Sequence, residues 1–332
     1  MRNLPPPKAW YYAGKGATFN GTPRRVSLPG KDVVVFRTRA GQLRAIQANC
    51  AHMNFPLEKG VVTGSHLRCS LHQWVFDASG ACVAIPGAKP QAIPRFACLE
   101  TFSIEERHGH VFVHTAGPGR SLPFFPGMSP LELECARVRA LAGETHWSLA
   151  TSNAFDLAHF EFVHHRRPTT LPRVDESVPE AISLTLGYEI LGNAPADRWL
   201  TKRYGKAASL DYQVWNGNLI FAQTRIGHFV NRMMFIVHPT SSGFDAFLFV
   251  YTPKSTSPLR HLTRELAAHF SWKFFAQECR ELKGIRFDLN RAGPHDALLA
   301  RYTNWLYEQA ADQGLRSLHL DDASDVATNS LS

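Results

Sequence analysis

The segment Cys50-Ala-His52, followed after sixteen residues by Cys69-Ser-Leu-His72, decides the fold of the first part of this 332-residue chain. Each pair combines one cysteine and one histidine at short spacing, which is typical of metal ligands supplied by two loops. Structural zinc sites usually pair cysteine with cysteine and histidine with histidine. A [2Fe–2S] cluster with two histidines on one iron suits mixed pairs, because each loop supplies one thiolate and one imidazole. The spacing therefore favours an iron–sulfur cluster over zinc.

The first 117 residues have the pattern of a small antiparallel β barrel or sandwich. Short apolar runs such as Asp32–Arg37 and His110–Thr115 are bounded by Gly, Pro and Asn turns. The Pro- and Gly-rich stretch 117–127 follows them and is the predicted domain boundary. We therefore expect two domains, residues 1–117 and residues 118–332.

The second part of the chain mixes helical and strand patterns. A helix-like segment spans Ser152–His164, and two helical patterns close the chain, over Pro258–Phe287 and His295–Gln313. Five strand-like runs lie between them, at Ala181–Leu191, Ser209–Trp215, Leu219–Ile226, Arg232–His238 and Asp245–Thr252. A curved antiparallel sheet that grips a long C-terminal helix accounts for this order, so the predicted fold class is α+β.

A second set of metal-ligating side chains lies in the segment Asn153-Ala-Phe-Asp156-Leu-Ala-His159-Phe-Glu-Phe-Val-His164. On a helix, Asp156 and His159 are three residues apart and share a face. His164 is about 140° away from His159 on an ideal helix, so it reaches the same metal only if the helix ends or distorts before it. Two histidines and a distant carboxylate are the ligands of a facial-triad non-haem Fe(II) site. An amphipathic helix with surface histidines is the alternative, and His165 is the rival of His164.

With both motifs present, the chain resembles the catalytic (alpha) subunits of Rieske non-haem iron oxygenases, in their short homotrimeric monooxygenase and demethylase branch. The resemblance runs from Trp10-Tyr11-Tyr12 to the helix of Trp305 and includes Val75-Phe-Asp and Ile85-Pro-Gly after the first motif. It implies an N-terminal Rieske antiparallel β domain followed by a helix-grip catalytic domain.

The chain departs from the family pattern beside the ligands. Ala51, Ser70-Leu71 and Gln73 stand where the family often has Pro, Pro-Tyr and Gly. None of these residues is a ligand, so the departures bear on the hydrogen bonds and potential of the cluster and leave the ligation unchanged.

The resemblance also implies roles for single residues. Asp156 hydrogen-bonds His159 and forms the electron route from the Rieske histidine of a neighbouring subunit, and Asn153 lies close to the iron. His159 and His164 are the histidine ligands of that iron.

The third ligand is implied by position. The family has an Asp early in its long C-terminal helix, often as Gln-Asp or Glu-Asp, and Gln277-Glu278 stands in that place here. Glu278 is therefore the expected carboxylate ligand. Glu281 and Asp288 are substitutes, and a buried ion pair is the alternative explanation of Glu278.

The implied activity is that of a terminal oxygenase component. An NAD(P)H-dependent reductase, or a ferredoxin, reduces the [2Fe–2S] cluster, and the electron crosses a subunit boundary of a homotrimer to the mononuclear Fe(II). O2 then serves to hydroxylate or oxidatively demethylate a hydrophobic, ring-containing small molecule. Three alternatives stay open: a ring-cis-dihydroxylating dioxygenase subunit, a Rieske electron carrier with a ligand-binding domain, and a zinc-stabilised binding protein.

Composition and charge indicate which kinds of binding partner and which cellular compartment to expect. The net charge is +8, but Lys and Arg are scattered, with Arg24-Arg25 and Arg166-Arg167 as the densest clusters. This argues against nucleic-acid binding and favours docking of an acidic redox protein. No apolar run approaches the ~18 residues of a membrane-spanning helix, and the N-terminus lacks the apolar core of a secretory signal. Six cysteines, two of them in ligand spacing, indicate a reducing cytoplasm and no disulfide framework.

Overall fold

Two antiparallel sheets form the first part of the molecule in the computed structural model, which describes residues 4–136, 138–192, 194–254 and 260–314. The strands are β1 (Trp10–Lys15), β2 (Arg24–Leu28), β3 (Lys31–Arg37), β4 (Leu43–Gln47), β5 (Val61–Thr63), β6 (His66–Arg68), β7 (Val75–Phe76), β8 (Cys82–Ala84), β9 (Thr101–Arg107) and β10 (His110–His114). Six of them pair in the order β1-β10-β9-β4-β3-β2, and β5 to β8 pair in sequence in a smaller sheet.

Strand β3 is buried on both of its faces, as its run of four apolar residues predicts. Val33 and Val35 pack into one apolar cluster, whereas Val34 and Phe36 pack into another that contains Cys50 and Cys69. The alternation of side chains along β3 therefore places the two cysteine loops against the larger sheet.

A single long antiparallel sheet dominates the second part of the molecule. Its strands are β11 (Leu133–Cys135), β12 (Arg139–Gly143), β13 (Arg166–Pro168), β14 (Arg173–Asp175), β15 (Ala181–Ile190), β16 (Ala207–Trp215), β17 (Leu219–Ile226), β18 (Phe229–Thr240) and β19 (Gly243–Pro253). The strands β15 to β19 are neighbours in sequence order. Strands β11 and β12 pair with β19, and β13 and β14 pair with β15. All five predicted strands are present, and β18 is longer than its apolar run predicts.

Five α-helices accompany this sheet in the described part of the chain. They are α1 (Trp147–Ser152), α2 (Leu157–Phe162), α3 (Pro195–Tyr204), α4 (Arg260–Glu281) and α5 (Ala297–Asp312). Helix α4 packs on β12 and β19, and α1 packs on β18, so the sheet holds the long helix as expected. The α+β class with an antiparallel N-terminal β part is confirmed. None of the described helices has the length and apolar character needed to span a membrane.

Two helix predictions need correction. The segment Ser152–His164 is not one helix: α1 ends, a 3-10 turn covers Asn153–Phe155, and Asp156 leaves helical geometry with φ −93° and ψ 89° before α2 begins. Helix α3 is absent from the predictions because it is only ten residues long and has few apolar residues. The predicted start of the long helix at Pro258 lies outside the described residues.

Candidate metal centres

The two loops of the first motif have the same backbone geometry. In each loop the cysteine N–H donates to the carbonyl five residues later, and the cysteine carbonyl accepts from the N–H four residues later. The residue that donates this second hydrogen bond, Asn54 in one loop and Gln73 in the other, has a positive φ in the left-handed region. The bonds are Cys50 to Phe55 (2.9 Å) and Asn54 to Cys50 (3.0 Å) in the first loop, and Cys69 to Trp74 (2.9 Å) and Gln73 to Cys69 (3.1 Å) in the second.

These loops bring the four side chains of the motif together. The thiols are inside, since Cys50 and Cys69 are 3% and 1% exposed. The imidazoles of His52 and His72 are exposed, with ring centroids 4.7 Å apart. The pKa of the Cys50 thiol is raised to about 11, chiefly by burial and also by neighbouring Cys69. A buried pair of thiolates needs positive charge beside it, which iron supplies, so the donor set fits a [2Fe–2S] cluster.

The second motif and helix α4 bring three more donors together. The ligand atoms of His159, His164 and Glu278 all lie within 4.8 Å of one another. The Nε2 atoms of the two histidines are 3.0 Å apart, and Glu278 is 4% exposed. Glu278 Oε2 lies 3.2 Å from His159 Nε2, and Glu278 Oε1 lies 2.5 Å from His164 Nε2.

His159 Nε2 has hydrogen-bond geometry toward both His164 Nε2 and Glu278 Oε2, but one carboxylate oxygen of the set remains unsatisfied. Despite the short distance to His164, Glu278 Oε1 is buried without a hydrogen-bond partner, because the geometry of that contact is not that of a hydrogen bond. Burial acts to raise the pKa of Glu278, but contacts with both imidazoles outweigh it and lower the pKa to about 2. The site thus offers one carboxylate and two imidazoles, which fits a divalent iron.

Breaks between helices position the two histidines. His159 lies within α2, whose N-terminus is capped by Asp156, and α2 ends at Phe162. The end of the helix lets His164 turn back toward His159, as the sequence spacing requires.

Glu278 comes from an unexpected place in its helix. It lies in the last turn of α4, not early in the helix, because α4 ends at Glu281 and the chain turns at Gly284, whose φ is +78°. The N–H of Leu282 still donates to the Glu278 carbonyl at 2.9 Å, so the end of the helix is well formed around the carboxylate.

The rival residues lie outside this donor set. His165 is exposed. Glu281 is exposed and accepts from Gln277 Nε2 at 3.0 Å. Asp288 is exposed and accepts from the N–H of Asn290 at 3.1 Å. The geometry therefore favours His164 and Glu278 over them.

Asp156 and Asn153 both lie beside the donor set. The hydrogen bond of Asp156 goes to the main-chain N–H of His159, at 2.9 Å, and not to its ring. The Asn153 amide donates to Glu278 Oε2. Sequence reasoning missed Phe274, whose ring centroid lies 4.8 Å from that of His164. The signal was present, because Phe274 precedes Glu278 by four residues and so shares its helix face.

Comparison with known proteins identifies one domain of the chain and several relatives. The model of the Rieske [2Fe–2S] domain matches residues 9–103. The chain is 33% identical over 168 residues to a putative toluene-4-sulfonate monooxygenase system iron-sulfur subunit of Comamonas testosteroni, covering 49% of this chain and 46% of that one. It is 31% identical over 177 residues to the 4beta-methylsterol monooxygenase of Methylococcus capsulatus, covering 50% and 47%. The matched region thus spans about half the length of these curated relatives.

Similarity of fold extends over nearly the whole chain. The structure of Pseudomonas putida NdmA with caffeine matches with a TM-score of 0.65 at 18% identity, covering 92% of this chain and 91% of that one. The chain therefore contains a Rieske [2Fe–2S] domain, is related in sequence to iron-sulfur and oxygenase components of monooxygenases, and has the fold of NdmA.

Proposed function

We propose that this chain is a terminal oxygenase component that uses O2 and reductase-supplied electrons to hydroxylate or oxidatively demethylate a hydrophobic, ring-containing small molecule. One observation carries the proposal: His159, His164 and Glu278 converge in the same chain as a Rieske domain. A carrier of electrons alone has no use for a second, buried donor set. The names of the relatives, which refer to toluene-4-sulfonate, a methylsterol and caffeine, support a ring compound as substrate.

The proposed metal ligands form two separate sites. Cys50, His52, Cys69 and His72 would hold the cluster, and His159, His164 and Glu278 the mononuclear iron. When bound, these groups supply single electrons and O2 activation. The Glu278 carboxylate stays ionised and would offset one of the two charges of a divalent ion, and the Asn153 amide donates to its Oε2. Because Glu278 and His164 are buried, the protein keeps bulk water away from this side of the site.

The surface around the cluster motif supports the proposed partners. Exposed apolar side chains neighbour the two imidazoles in sequence, with Met53 64% and Leu71 46% exposed. Exposed apolar side chains beside both imidazoles suit contact with another protein. We infer that an NAD(P)H-dependent reductase or a ferredoxin supplies the electrons and that the chain forms a homotrimer. All six cysteines are free, which agrees with a reducing cytoplasm.

Metal content tests the proposal. We expect about three iron atoms and two sulfides per chain, the sum of a [2Fe–2S] cluster and one further iron. Glu278→Ala should lose one iron and keep the visible absorbance of the cluster. Glu281→Ala, an exposed acidic neighbour at the end of the same helix, is the matched control and should keep all three irons.

Other metal contents would point to other functions. Two irons with sulfide in the unaltered protein would identify an electron carrier, and zinc without sulfide would contradict both the oxygenase and the carrier. For the activity itself, ring compounds are screened for stimulation of O2-dependent NADH consumption with a surrogate reductase. Product identification by mass spectrometry then separates hydroxylation or demethylation from addition of two hydroxyl groups.

A further inference from the structure

The guanidinium of Arg166 links the backbone beside His164 to helix α3. Its Nη1 donates to the main-chain oxygen of His164 at 2.9 Å and to that of His165 at 3.4 Å. Its Nη2 donates to Asp197 Oδ1 at 2.5 Å, in the first turn of α3. The two charged side chains are only 17% and 11% exposed. Helix α3, which supplies none of the three converging donors, is therefore tied through one side chain to the backbone of one of them.

The backbone conformation at His165 depends on contacts with other segments of the chain. His165 has a φ of +55°, in the left-handed region that residues other than glycine rarely adopt. This turn carries the chain from the end of α2 into β13, and the N–H of Leu191 donates to the His165 carbonyl at 2.9 Å. Residues in such conformations persist only where surrounding contacts hold them. Because His164 directly precedes the turn, the direction of its ring depends on those contacts.

The residues around Arg166 and Asp197 accommodate the ion pair. A Cβ atom at position 192 would overlap the Asp197 carboxylate, so Gly192 is the residue that leaves room for the pair. Asp197 also lies near the N-terminus of α3, where the helix dipole favours a negative charge. Removing one member of such a pair would leave a largely buried charge without a partner.

We propose that Arg166 and Asp197 are positioning residues for His164. They act through the main chain, since the hydrogen bonds of Arg166 go to backbone carbonyls and its carboxylate partner lies on α3. When the Asp197 charge is removed, the guanidinium loses its anchor, the turn at His165 relaxes and the His164 imidazole leaves its place beside His159 and Glu278. This role rests on the proposed function, in which His164 binds the mononuclear iron.

Binding of Fe(II) to the full chain tests the role. Asp197→Asn removes the charge without changing the size of the side chain, and Arg166→Lys keeps the charge but cannot bind two carbonyls and a carboxylate together. We expect both variants to bind the mononuclear Fe(II) about 10- to 100-fold more weakly, as for other partners that orient a metal ligand. The electron paramagnetic resonance spectrum of the nitric oxide adduct of the residual Fe(II) should change shape, and the visible absorbance of the cluster should stay as in the unaltered protein.

Neighbouring residues supply a matched control. Arg167 and Glu161 form an ion pair one position along the chain, at 3.2 Å, and this pair is more exposed, at 58% and 35%. Glu161→Gln should bind Fe(II) with unaltered affinity. Unaltered Fe(II) affinity and spectrum in both Asp197→Asn and Arg166→Lys would overturn the positioning role. Loss of the cluster together with the iron would also overturn it, because it would reveal a general folding defect.

A third variant separates this inference from the proposed function. His164→Ala should lose the mononuclear iron outright. If it keeps the iron, the proposed ligand set itself is wrong. If it loses the iron while Asp197→Asn and Arg166→Lys keep it, only the positioning role fails.

Discussion

Two single residues shape the loops of the cluster motif. Asn54 and Gln73 have φ values of +55° and +59°, at equivalent positions four residues after Cys50 and Cys69. Asn adopts the left-handed region more readily than most residues, whereas the longer Gln73 side chain is held there by one exposed hydrogen bond, which its amide donates to the Ser70 carbonyl at 3.0 Å. Glycine is frequent at the position of Gln73 in the family that this chain resembles, and the positive φ gives the physical reason.

Gln73→Gly should therefore stabilise the protein. Relief of the left-handed strain outweighs both the greater entropy of glycine in the unfolded chain and the loss of the exposed hydrogen bond to Ser70, so we expect a gain of about 0.5–1 kcal/mol in the free energy of unfolding. Thermal melting followed by circular dichroism should show a Tm higher by about 1–3 °C. Asn54→Gly is the control and should gain less. An equal or larger gain at position 54 would contradict this account.

At the scale of elements, the break between α1 and α2 matters most. Asp156 stands outside both helices, and its carboxylate accepts the main-chain N–H of His159 as the N-cap of α2. A continuous helix would put His159 and His164 on different sides. The break at Asp156 starts the short helix that carries His159, and the end of that helix at Phe162 lets His164 turn toward His159 and Glu278.

Asp156→Asn and Asp156→Ala should differ because of this cap. Asn caps a helix about as well as Asp, so Asp156→Asn should keep the fold and the full iron content. Without the carboxylate charge beside His159, reductase-driven turnover should fall about 10- to 100-fold. Asp156→Ala should in addition lose about 1 kcal/mol of stability with the cap. Iron content, thermal melting and O2 consumption measure the three effects, and full activity of Asp156→Asn would exclude an electron route through this residue.

At the scale of the whole molecule, the N-terminal sheet is joined to the long sheet by an apolar cluster with polar contacts around it. Trp10 and Phe112 share this cluster with side chains of β17, β18 and β19. His238 Nε2 accepts the main-chain N–H of Tyr12 at 3.0 Å, and its ring lies edge-on to that of Tyr11. Burial lowers the pKa of His238 to about 3. The junction thus holds a neutral imidazole whose ordinary pKa is near 6.5.

The junction should make the protein sensitive to acid. A pKa that is lower in the folded state gives stability that is present above about pH 6.5 and is lost as the pH falls toward 3. His238 alone should cost up to about 1.4 kcal/mol for each pH unit below 6.5. His238→Gln, which keeps an acceptor and does not titrate, should be less stable at pH 7 but should show a flatter decline of Tm between pH 7 and pH 5. The exposed His295→Gln is the control, and a decline in His238→Gln as steep as in the unaltered protein would contradict the prediction.

The sequence by itself determined the features that depend on neighbours along the chain. The Cys50 and Cys69 loops are built from hydrogen bonds that span four or five residues, so short spacing was enough to indicate a Rieske domain. The five long strands β15 to β19 were visible for the same reason, since alternation and turns are local properties, whereas the short strands β11 to β14 were not predicted. The spacing of His159 and His164 also predicted that a helix must end between them.

Only the tertiary structure decided what depends on packing between distant segments. Glu278 is 119 residues from His159, and the choice between Glu278 and Glu281 depends on which side of α4 faces the α1–α2 break. Asp288 lies beyond the end of α4. The pairing of Arg166 with Asp197 likewise joins a strand to a helix 31 residues further along the chain. Spacing along the chain determines which residues share one face of a helix. Which segment packs against that face depends on how the whole chain buries its apolar side chains.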